Sequence, residues 1–507
     1  MIWKNCTKFL DKKYYNFIQK CAIILFIKLF FVGGSILLET IKWITESVNN
    51  VLWGKNILVF LLVGSAIYFS IRTRFMQFRL FKTIIKTLFH KESEQKGITS
   101  LETFFLGTAC RVGAGNIAGV VAAISVGGPG SIFWMWLVAL LGASTSFVES
   151  CLAVMYRDKL EDGKYIGGSP WILKKQMNCR WLGVIYAIAS IICYLGVVQV
   201  MSNSITESIT SVYSNIDFGL SPVFYPIGAV FGIELTQENF LKYFLAILIS
   251  IITASVIFGK SKKDAIIEAL NKIVPIMAVL YILLVIFILI TNITSIPAMI
   301  QNIFYQAFGG EQFLGAGFGI IVMQGVRRGL FSNEAGSGDS NYAAAVVDIE
   351  EPARQGMVQA LGVFVDTLVI CSATAFIVLL ADPNVVGDAS GMELFQLAIQ
   401  SHIGSIGAPF VVIIMFFFAF STILAVTFYG KSAIYFINNH SNINLLYQLL
   451  IIVMVYIGGI KQNLFVWSLA DFGLGIMTVI NIIMIVPFAK PALDELKRYE
   501  SLLKKKA

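Results

Sequence analysis

The sequence predicts an all-α polytopic membrane protein, and three observations lead to that prediction. Of 507 residues, 57% are hydrophobic and only 13% are charged, whereas about a quarter of the residues of a soluble domain are charged. Apolar runs long enough to cross a hydrocarbon layer of about 30 Å recur along the chain. Several links between these runs are basic and others contain no lysine or arginine, which is typical of cytoplasmic and external loops.

About 11–12 membrane-crossing helices are predicted from these apolar runs. The runs lie at 20–38, 55–71, 102–126, 130–155, 181–201, 240–258, 268–292, 312–330, 354–380, 407–429, 444–461 and 464–488. Loops 72–97 and 156–180 are basic, as is the C-terminal tail, while loops 203–239, 293–311 and 381–401 contain no Lys or Arg. Twelve crossings with both termini in the cytoplasm satisfy this charge bias.

The first run differs from the others because lysines precede it and Lys28 interrupts it. Such a segment is either a cleaved signal peptide or a membrane anchor. Since no clear small-residue cleavage site follows, we expect an uncleaved extra helix within an N-terminal extension of residues 1–45.

Several classes of function are excluded by what the chain lacks. Its seven cysteines form no CxxC pair and its three histidines are isolated, so neither a zinc site nor a disulfide framework is predicted. The basic residues that give the net charge of +8 lie in short clusters between apolar runs, which indicates membrane topology and not nucleic-acid binding. The HExxH and GxSxG motifs do not occur, so an enzyme is not expected. A channel would need a selectivity filter or a ring of charges, and none is evident.

The first candidate functional segment is CRVGAGNIAGVVAAISVGGPG, residues 110–130. Gly113 and Gly115 lie inside a predicted crossing, where glycine weakens a helix. A helix that breaks there offers free N–H groups for a carboxylate and free carbonyls for a sodium ion. The alternative is that the glycines only allow two helices to touch. Asn116 and Arg111 in the same stretch favour the broken helix.

The second candidate segment is QGVRRGLFSNEAGSGDSNYAAA, residues 324–345. Arg327 and Arg328 fit the cytoplasmic end of a helix better than contact with a ligand. Phe331 and Glu334 belong to a polar stretch that continues the helix, which favours a functional role.

Four single polar residues in apolar runs complete the candidates. Asp366 is a costly lone carboxylate in a predicted crossing. A structural pairing with Arg111 or with Arg327 and Arg328, and a functional role, both stay open. Gln199 can bind an ammonium or carboxylate group, or only tie two helices together. The hydroxyls of Ser421 and Thr422 suit a hard cation, although such hydroxyls often bond to their own helix.

Five stretches resemble one known family, the alanine or glycine:cation symporters (sodium:alanine symporters). They are RVGAGNIAGVVAAISVGGPGSIFWMW, FVESCLAVMYR, RRGLFSNEAGSG, PARQGMVQALGVFVDTLVICSATA and FAFSTIL. The resemblance extends from about Asn50 to Pro487 and implies two inverted five-helix repeats with broken first and sixth core helices, as in neurotransmitter:sodium symporters. The expected division is the extension at 1–45, a first family helix and basic loop at 46–98, repeats at 99–262 and 263–462, and a last helix with a basic tail at 463–507.

The resemblance also implies which residues bind ligands. Those expected to contact the substrate are Gly113, Ala114, Gly115, Asn116, Gln199 and Phe331. Those expected to bind sodium, through two carbonyls and two hydroxyls, are Ala109, Val112, Ser421 and Thr422. Arg111, Glu334 and Asp366 are expected to be structural or coupling charges. The chain departs from the family pattern at Ala114 and at 337–340, which bears on the substrate and the coupling ion.

The predicted function is import of a small neutral amino acid (alanine, glycine or serine) by symport with sodium through alternating access. A proton-coupled symporter of the same fold is the alternative, with Asp366 or Glu334 as the titrating group. No cofactor is expected, since sodium is a co-substrate. The expected partners are the amino acid, sodium and membrane lipid but no nucleic acid, and the expected location is the cell inner (plasma) membrane.

Overall fold

The structure is a computed structural model that describes residues 35–89, 97–213, 236–261, 264–308, 316–460 and 464–506. The helices are α1 (Ser35–Asn49), α2 (Ile57–Arg72), α3 (Met76–Arg79), α4 (Phe81–Leu88), α5 (Ser100–Arg111), α6 (Ala114–Gly127), α7 (Ser131–Met155), α8 (Ser169–Gln176), α9 (Arg180–Tyr213), α10 (Gln237–Ile257), α11 (Ala265–Thr291), α12 (Ile296–Ala307), α13 (Ala316–Asn333), α14 (Ser340–Ala345), α15 (Pro352–Phe364), α16 (Ser372–Leu379), α17 (Pro383–Val386), α18 (Gly391–Ile403), α19 (Gly407–Ile437), α20 (Ser441–Ile460), α21 (Leu464–Ile485) and α22 (Lys490–Lys506). Two π-helical turns, Asn50–Gly54 and Val365–Cys371, and one 3-10 turn, Gly404–Ile406, join some of these helices. The described strands are β1 (Asp158–Lys159) and β2 (Tyr165–Ile166), which form an antiparallel hairpin.

Eight of the described helical segments are long and apolar enough to cross a membrane. They are Ser131–Met155, Arg180–Tyr213, Asn239–Ile257, Ala265–Thr291, Pro352–Leu379, Gly391–Ile437, Ser441–Ile460 and Phe465–Ile485. Two bent pairs also qualify, namely Glu39–Gly54 with Ile57–Arg72, bent by 44°, and Ser100–Arg111 with Ala114–Gly127, bent by 47°. The prediction of a multi-pass helical membrane protein is therefore confirmed.

Three predicted segments differ from the structure or lie outside it. The run at 20–38 falls mostly among residues 1–34, outside the described part. The run at 312–330 corresponds to α13, which has 18 residues but is too polar to join the set of apolar spans. The predicted loop at 381–401 contains most of α18, because Leu394, Phe395 and neighbouring apolar residues of that helix are buried.

The expected division into repeats distributes the described membrane segments unequally. Residues 99–262 contain the α5–α6 pair, α7, α9 and α10, whereas residues 263–462 contain α11, α13, α15–α16, α18–α19 and α20. With α13 counted although it is too polar to qualify as an apolar span, four segments lie in the first half and five in the second, while α21 lies outside both.

The long helix α9 lies at the centre of the bundle and packs against α19, α20 and α21. Glycines permit this close packing: a Cβ at Gly458 would lie 2.4 Å from the Gln199 carbonyl oxygen, and a Cβ at Gly473 would lie 2.6 Å from that of Ala189. Small residues serve the same purpose wherever helices meet in a membrane. On the other side, α7 packs against α13 and α15, and α6 packs against α13. This arrangement brings α6, α9, α13, α19 and α21 around one cavity.

Candidate functional site

The first helix break separates α5 from α6 at Val112 and Gly113. Val112 has a ψ of 86°, and Gly113 is extended with φ −127° and ψ −167°. The Gly113 N–H donates to Asn116 Oδ1 at 3.0 Å, so the Asn116 side chain closes the turn. The first N–H groups of α6 have no acceptor within the helix, and they carry the positive end of its dipole. The helix break predicted from the glycines is present.

Thr422 on α19 lies against this break. Its Oγ1 is 3.0 Å from the Ala109 carbonyl oxygen and 3.0 Å from that of Phe418. A Cβ at Gly113 would lie 2.6 Å from the same hydroxyl oxygen. The structure thus brings together the Thr422 hydroxyl, the Ala109 carbonyl and the turn at 112–113, which are three of the features predicted for a sodium site.

Ser421, the neighbouring predicted ligand, has different contacts. Its hydroxyl donates to the Phe418 carbonyl at 3.0 Å and lies 3.6 Å from the Met277 sulfur. Bonding to the residue's own helix is the alternative that the sequence left open for this hydroxyl. Ser421 therefore does not share the position of Thr422 beside the break.

The second helix break separates α13 from α14 and runs from Glu334 to Asp339. Glu334 has a φ of 54°, and Gly336 and Gly338 have φ values of 95° and 84°. Left-handed backbone is costly for residues other than glycine, so neighbouring groups must hold this segment in place.

Glu149 on α7 supplies part of that support. One carboxylate oxygen accepts the Gly336 N–H at 3.2 Å, and the other accepts Asn481 Nδ2 at 2.7 Å. The same Asn481 amide lies 2.9 Å from the Gly336 carbonyl oxygen. A buried carboxylate and an amide from α21 thus satisfy the exposed backbone of the break.

Two tyrosines on α9 hold the other end of the second break. The Tyr186 hydroxyl donates to the Ser337 carbonyl at 3.0 Å. The Tyr194 hydroxyl donates to Asp339 Oδ1 at 2.6 Å. Sequence reasoning missed both tyrosines and also missed Glu149 and Asn481. Glu149 could have been found, because a lone carboxylate in a predicted crossing was already the signal that identified Asp366.

Asp366 joins the two breaks. It lies in the π-helical turn after α15 and accepts hydrogen bonds from Asn116 at 2.5 Å, from Ser332 at 2.7 Å and from Thr367 at 2.9 Å. Asn116 belongs to α6 and Ser332 to the end of α13. The carboxylate is therefore fully engaged, and its partners are polar side chains next to each break.

Arg111 has three partners of its own at the end of α5. Its guanidinium donates to the Asn333 carbonyl at 3.1 Å, to Gln359 Oε1 at 3.2 Å and to Ser146 Oγ at 3.3 Å. Each partner lies on a different helix. Arg111 therefore ties α5 to α7, α13 and α15, and these contacts fit the structural role rather than a pairing with Asp366.

A cavity of about 80 Å³ lies between the two breaks. Seven of the thirteen predicted residues line it, and these are Arg111, Gly113, Gly115, Asn116, Phe331, Glu334 and Thr422. Ala114 is buried but is not part of the lining. The first break, the second break and Thr422 are therefore close enough to act on one ligand.

Gln199 has a different position from the one predicted. Its Nε2 lies 3.0 Å from the sulfur of Met454 on α20, so the amide faces another helix. The residues of α9 that line the cavity include Tyr194, Val200 and Met201. The structure does not bring Gln199 together with the other predicted substrate residues.

Acidic groups that sequence reasoning did not assign also line the cavity. Asp339 lines it beside Tyr194, and Asp471 lines it from α21. Glu334, which the sequence did indicate, has a buried oxygen, Oε2, without a hydrogen-bond partner among the described residues. In their ionised form, these carboxylates would suit a cationic group.

Trp53 connects the bent pair α1–α2 to the cavity. Its ring lies 6.3 Å from that of Phe331, and the Arg327 guanidinium lies 5.7 Å from its centre. Its indole N–H donates to the Asp471 carbonyl at 3.1 Å. Trp53 thus packs behind one cavity residue and bonds to the backbone of another.

Comparison with known proteins gives the relationship of the whole chain. A profile of the Sodium:alanine symporter family matches residues 38–507. The chain is 38% identical to the amino-acid carrier protein AlsT of Bacillus subtilis, over 87% of this chain and 89% of that protein. It is 35% identical to the probable sodium/glutamine symporter GlnT of the same species, over 91% of each chain. It is 38% identical to the putative sodium/proton-dependent alanine carrier protein YrbD, also of that species, over 90% and 91%. The chain therefore belongs to the sodium:alanine symporter family, whose members are sodium-coupled amino-acid transporters and not enzymes.

Proposed function

We propose that this chain imports a small neutral amino acid (alanine, glycine or serine) together with sodium, by alternating access. The observation that carries the proposal is the cavity of about 80 Å³ that both helix breaks border. One water molecule needs roughly 10–15 Å³ of cavity volume measured in this way, so the cavity can hold several groups the size of a water molecule. That is the scale of a small amino acid. The names of AlsT, an amino-acid carrier, and YrbD, an alanine carrier, support the same class of substrate.

The two helix ends at the cavity have opposite polarity, which suits a zwitterion. The N-terminus of α6 offers free N–H groups and a partial positive charge for the substrate carboxylate. The C-terminus of α13 carries a partial negative charge and is followed by Glu334, which lines the cavity. An amino acid that spans the cavity would therefore place its carboxylate near Gly115 and its ammonium near Glu334.

Sodium would bind at the first break, with Thr422 and the carbonyls of Ala109 and Val112 as ligands. Oxygen donors of this kind suit a hard cation. An ion there would order the turn at 112–113, whose neighbouring amides receive the substrate carboxylate. Because each ligand favours the same ordered arrangement, the binding of one strengthens the binding of the other. Ser421 is the weaker candidate, since its hydroxyl bonds to its own helix.

The test is uptake of labelled L-alanine into proteoliposomes under an inward sodium gradient, with a choline gradient as the reference. Thr422→Ala is compared with Thr427→Ala, because the Thr427 hydroxyl is also buried but, within the described part of the chain, bonds only to the Ile423 carbonyl of its own helix, at 2.6 Å. A bond to a charged group contributes about 1.5–3 kcal/mol, and about 1.4 kcal/mol is tenfold in affinity. We therefore expect Thr422→Ala to raise the half-saturating sodium concentration at least tenfold and Thr427→Ala to leave it unchanged. Equal sodium dependence in both variants would refute the assigned ion site.

We propose that the inverted repeats extend over residues 100–291 and 316–485. Each set then begins with a broken helix, α5–α6 in the first and α13–α14 in the second, and contains five membrane segments. This division replaces the expected boundary at 262. The basic loops 72–97 and 156–180 support an orientation in the inner membrane with both termini in the cytoplasm. Cysteine labelling of single sites in these loops, from each side of the membrane, tests that orientation.

Proton coupling is the alternative, and one observation favours Glu334 over Asp366 as its proton carrier. Asp366 accepts three hydrogen bonds, whereas Glu334 Oε2 has no partner among the described residues and Glu334 lines the cavity. If a proton gradient drives uptake without sodium, Glu334→Gln is expected to abolish that uptake. Accumulation that needs sodium and ignores the proton gradient would exclude this alternative.

A further inference from the structure

The segment at 74–89, which comprises α3 and α4, plays no part in the transport site. The membrane-crossing helix α2 ends at Arg72, and α3 begins four residues later at Met76. The segment therefore lies where the chain leaves the membrane. One side of α4 is anchored to the bundle, since Ile84, Thr87 and Leu88 are buried and the helix packs against α15.

The outer side of this segment is apolar. Phe78, Phe81, Ile85 and Phe89 are 54%, 43%, 40% and 70% exposed. With about 100° between successive helical residues, Phe81, Ile85 and Phe89 fall within an arc of about 80°. Three large apolar side chains on one exposed stripe of α4, with the exposed Phe78 on the neighbouring helix α3, form a surface suited to contact with lipid acyl chains.

Positive charge lies directly beside this apolar stripe. Between Arg72 and Phe89 the chain has five basic residues and no Asp or Glu. Lys82 and Lys86 lie next to the stripe on the same helix, within about 60° of its edge. Arg79 is engaged in an ion pair with Glu500 of α22 at 2.7 Å. Among the described residues, no carboxylate lies within ion-pair distance of Lys82 or Lys86.

We propose that α4 is an interfacial helix that binds the headgroups of anionic phospholipids through Lys82 and Lys86. Its apolar stripe contacts the acyl chains of the same leaflet. A helix with adjoining apolar and basic faces, located at the end of a membrane span, fits the boundary between headgroups and acyl chains. The charge selects the lipid: a phosphate with a net negative headgroup complements the two lysines, whereas a zwitterionic headgroup does not. The apolar stripe favours a lipid over free phosphate as the ligand, because free phosphate has no acyl chains that could contact the stripe.

The experiment counts lipids that stay bound to the purified full-length protein, by native mass spectrometry from detergent that contains equal amounts of phosphatidylglycerol and phosphatidylcholine. The test variant is Lys82→Gln/Lys86→Gln. The control is Lys504→Gln/Lys505→Gln, which removes the same charge from two exposed lysines near the end of α22. One basic residue near an anionic surface changes affinity by about fivefold. We expect the wild type and the control to retain phosphatidylglycerol preferentially and the test variant to lose this preference by about tenfold or more.

Two further measurements keep the proposal falsifiable even if the variant folds poorly. The preference of the wild type must weaken as salt rises from about 0.1 M to 1 M, because screening shortens the range of the charges from about 10 Å to 3 Å. Inorganic phosphate at millimolar concentration must not displace the lipid. A test variant with the same preference as the wild type, a preference that salt does not change, or displacement by phosphate alone would each overturn the proposal. None of these measurements requires transport, so their failure is distinct from a failure of the proposed symport.

Discussion

The first helix break spans two residues, whereas the second spans six. At the first, Asn116 and Thr422 are the side chains that contact the open backbone, and both also line the cavity. At the second, groups from four other helices, α7, α8, α9 and α21, bond to the break or to the residues around it. The first break is therefore held by groups that a ligand can replace, and the second mainly by groups outside the cavity lining, namely Glu149, Ser169, Tyr186 and Asn481.

This difference indicates separate tasks for the two breaks. A segment held by few bonds can be ordered by a bound ion, and differential contact of this kind is what couples ligands to a conformational equilibrium. A segment with many hydrogen bonds to other helices keeps one conformation, and we call such a rigid segment a frame. The four predictions below test this division, beginning with the largest expected effect.

Gly338→Ala tests whether the second break is a fixed frame. Gly338 has a left-handed φ of 84°, and a Cβ there would lie 2.5 Å from both Ser169 Oγ and the Tyr186 hydroxyl. Left-handed backbone and overpacking together cost about 2–4 kcal/mol. We expect a loss of stability of that size in thermal unfolding in detergent. Gly319→Ala on α13 is the control, since nothing lies within 4 Å of that Cβ. If the two variants melt alike, the second break is not a frame.

Glu149→Ala removes the carboxylate that supports the second break. The Gly336 N–H and the Asn481 amide would then lose their acceptor. Unsatisfied buried groups cost about 1–3 kcal/mol, and we expect a decrease of this order in the free energy of unfolding, with reduced uptake. Ser150→Ala is the matched control, because that buried hydroxyl has no hydrogen-bond partner among the described residues. If Glu149→Ala is as stable as the wild type, groups other than Glu149 hold the second break in place.

Gly113→Ala tests the adjustable character of the first break. Gly113 has a negative φ, so alanine brings no left-handed strain, but its Cβ would lie 2.6 Å from Thr422 Oγ1. We expect a smaller loss of stability than in Gly338→Ala, because only the overpacking cost remains, and a sodium affinity lowered by about tenfold, or about 1.4 kcal/mol. Gly115→Ala, whose Cβ would lie 3.8 Å from the Phe331 ring, is expected to affect the KM for the amino acid and not that for sodium. A large loss of stability in Gly113→Ala would remove the distinction between the two breaks.

Trp53→Ala probes the residue that packs behind Phe331 at the end of α13. Aromatic pairs contribute about 0.5–1.5 kcal/mol, which corresponds to about two- to tenfold in affinity. Loss of the ring leaves Phe331 room to move, so we expect weaker uptake of alanine relative to larger neutral amino acids. Competition between labelled alanine and unlabelled leucine measures the change. Trp43→Ala serves as the control because Trp43 is 69% exposed, and an unchanged ratio in Trp53→Ala would assign Trp53 no part in selectivity.

The first break was predictable because its cause lies within one short stretch of sequence. Gly113 and Gly115 weaken the helix there, and Asn116 supplies the side chain that closes the turn. The second break was implied only by the family resemblance: its residues were interpreted as a polar stretch that continues the helix, whereas α13 ends at Asn333. The groups that hold it were not predicted, since Glu149 and Asn481 meet only through tertiary packing.

Gln199 illustrates a different limit. The sequence predicted that Gln199 lies on this core helix, α9. It did not predict how α9 is rotated about its axis, and therefore which of its residues face the cavity. Neighbouring residues on a helix point about 100° apart, so Val200 faces the cavity while the Gln199 amide lies against Met454. The charge pattern, likewise, indicated which links lie outside the crossings. It did not show that α12 and α18 form helices within two of them.

The bond between Glu149 and Asn481 joins residues that are 332 positions apart. A ribosome must therefore deliver nearly the whole chain before this bond can form. Until α21 has entered the membrane, the carboxylate of α7 lacks its amide donor, and the second break lacks one of its supports. We expect a nascent chain that stops at residue 463 to be degraded faster in a pulse-chase than one that stops at residue 489, which includes α21. Insertion of α21 would then be the step after which the protein is no longer degraded by membrane quality control.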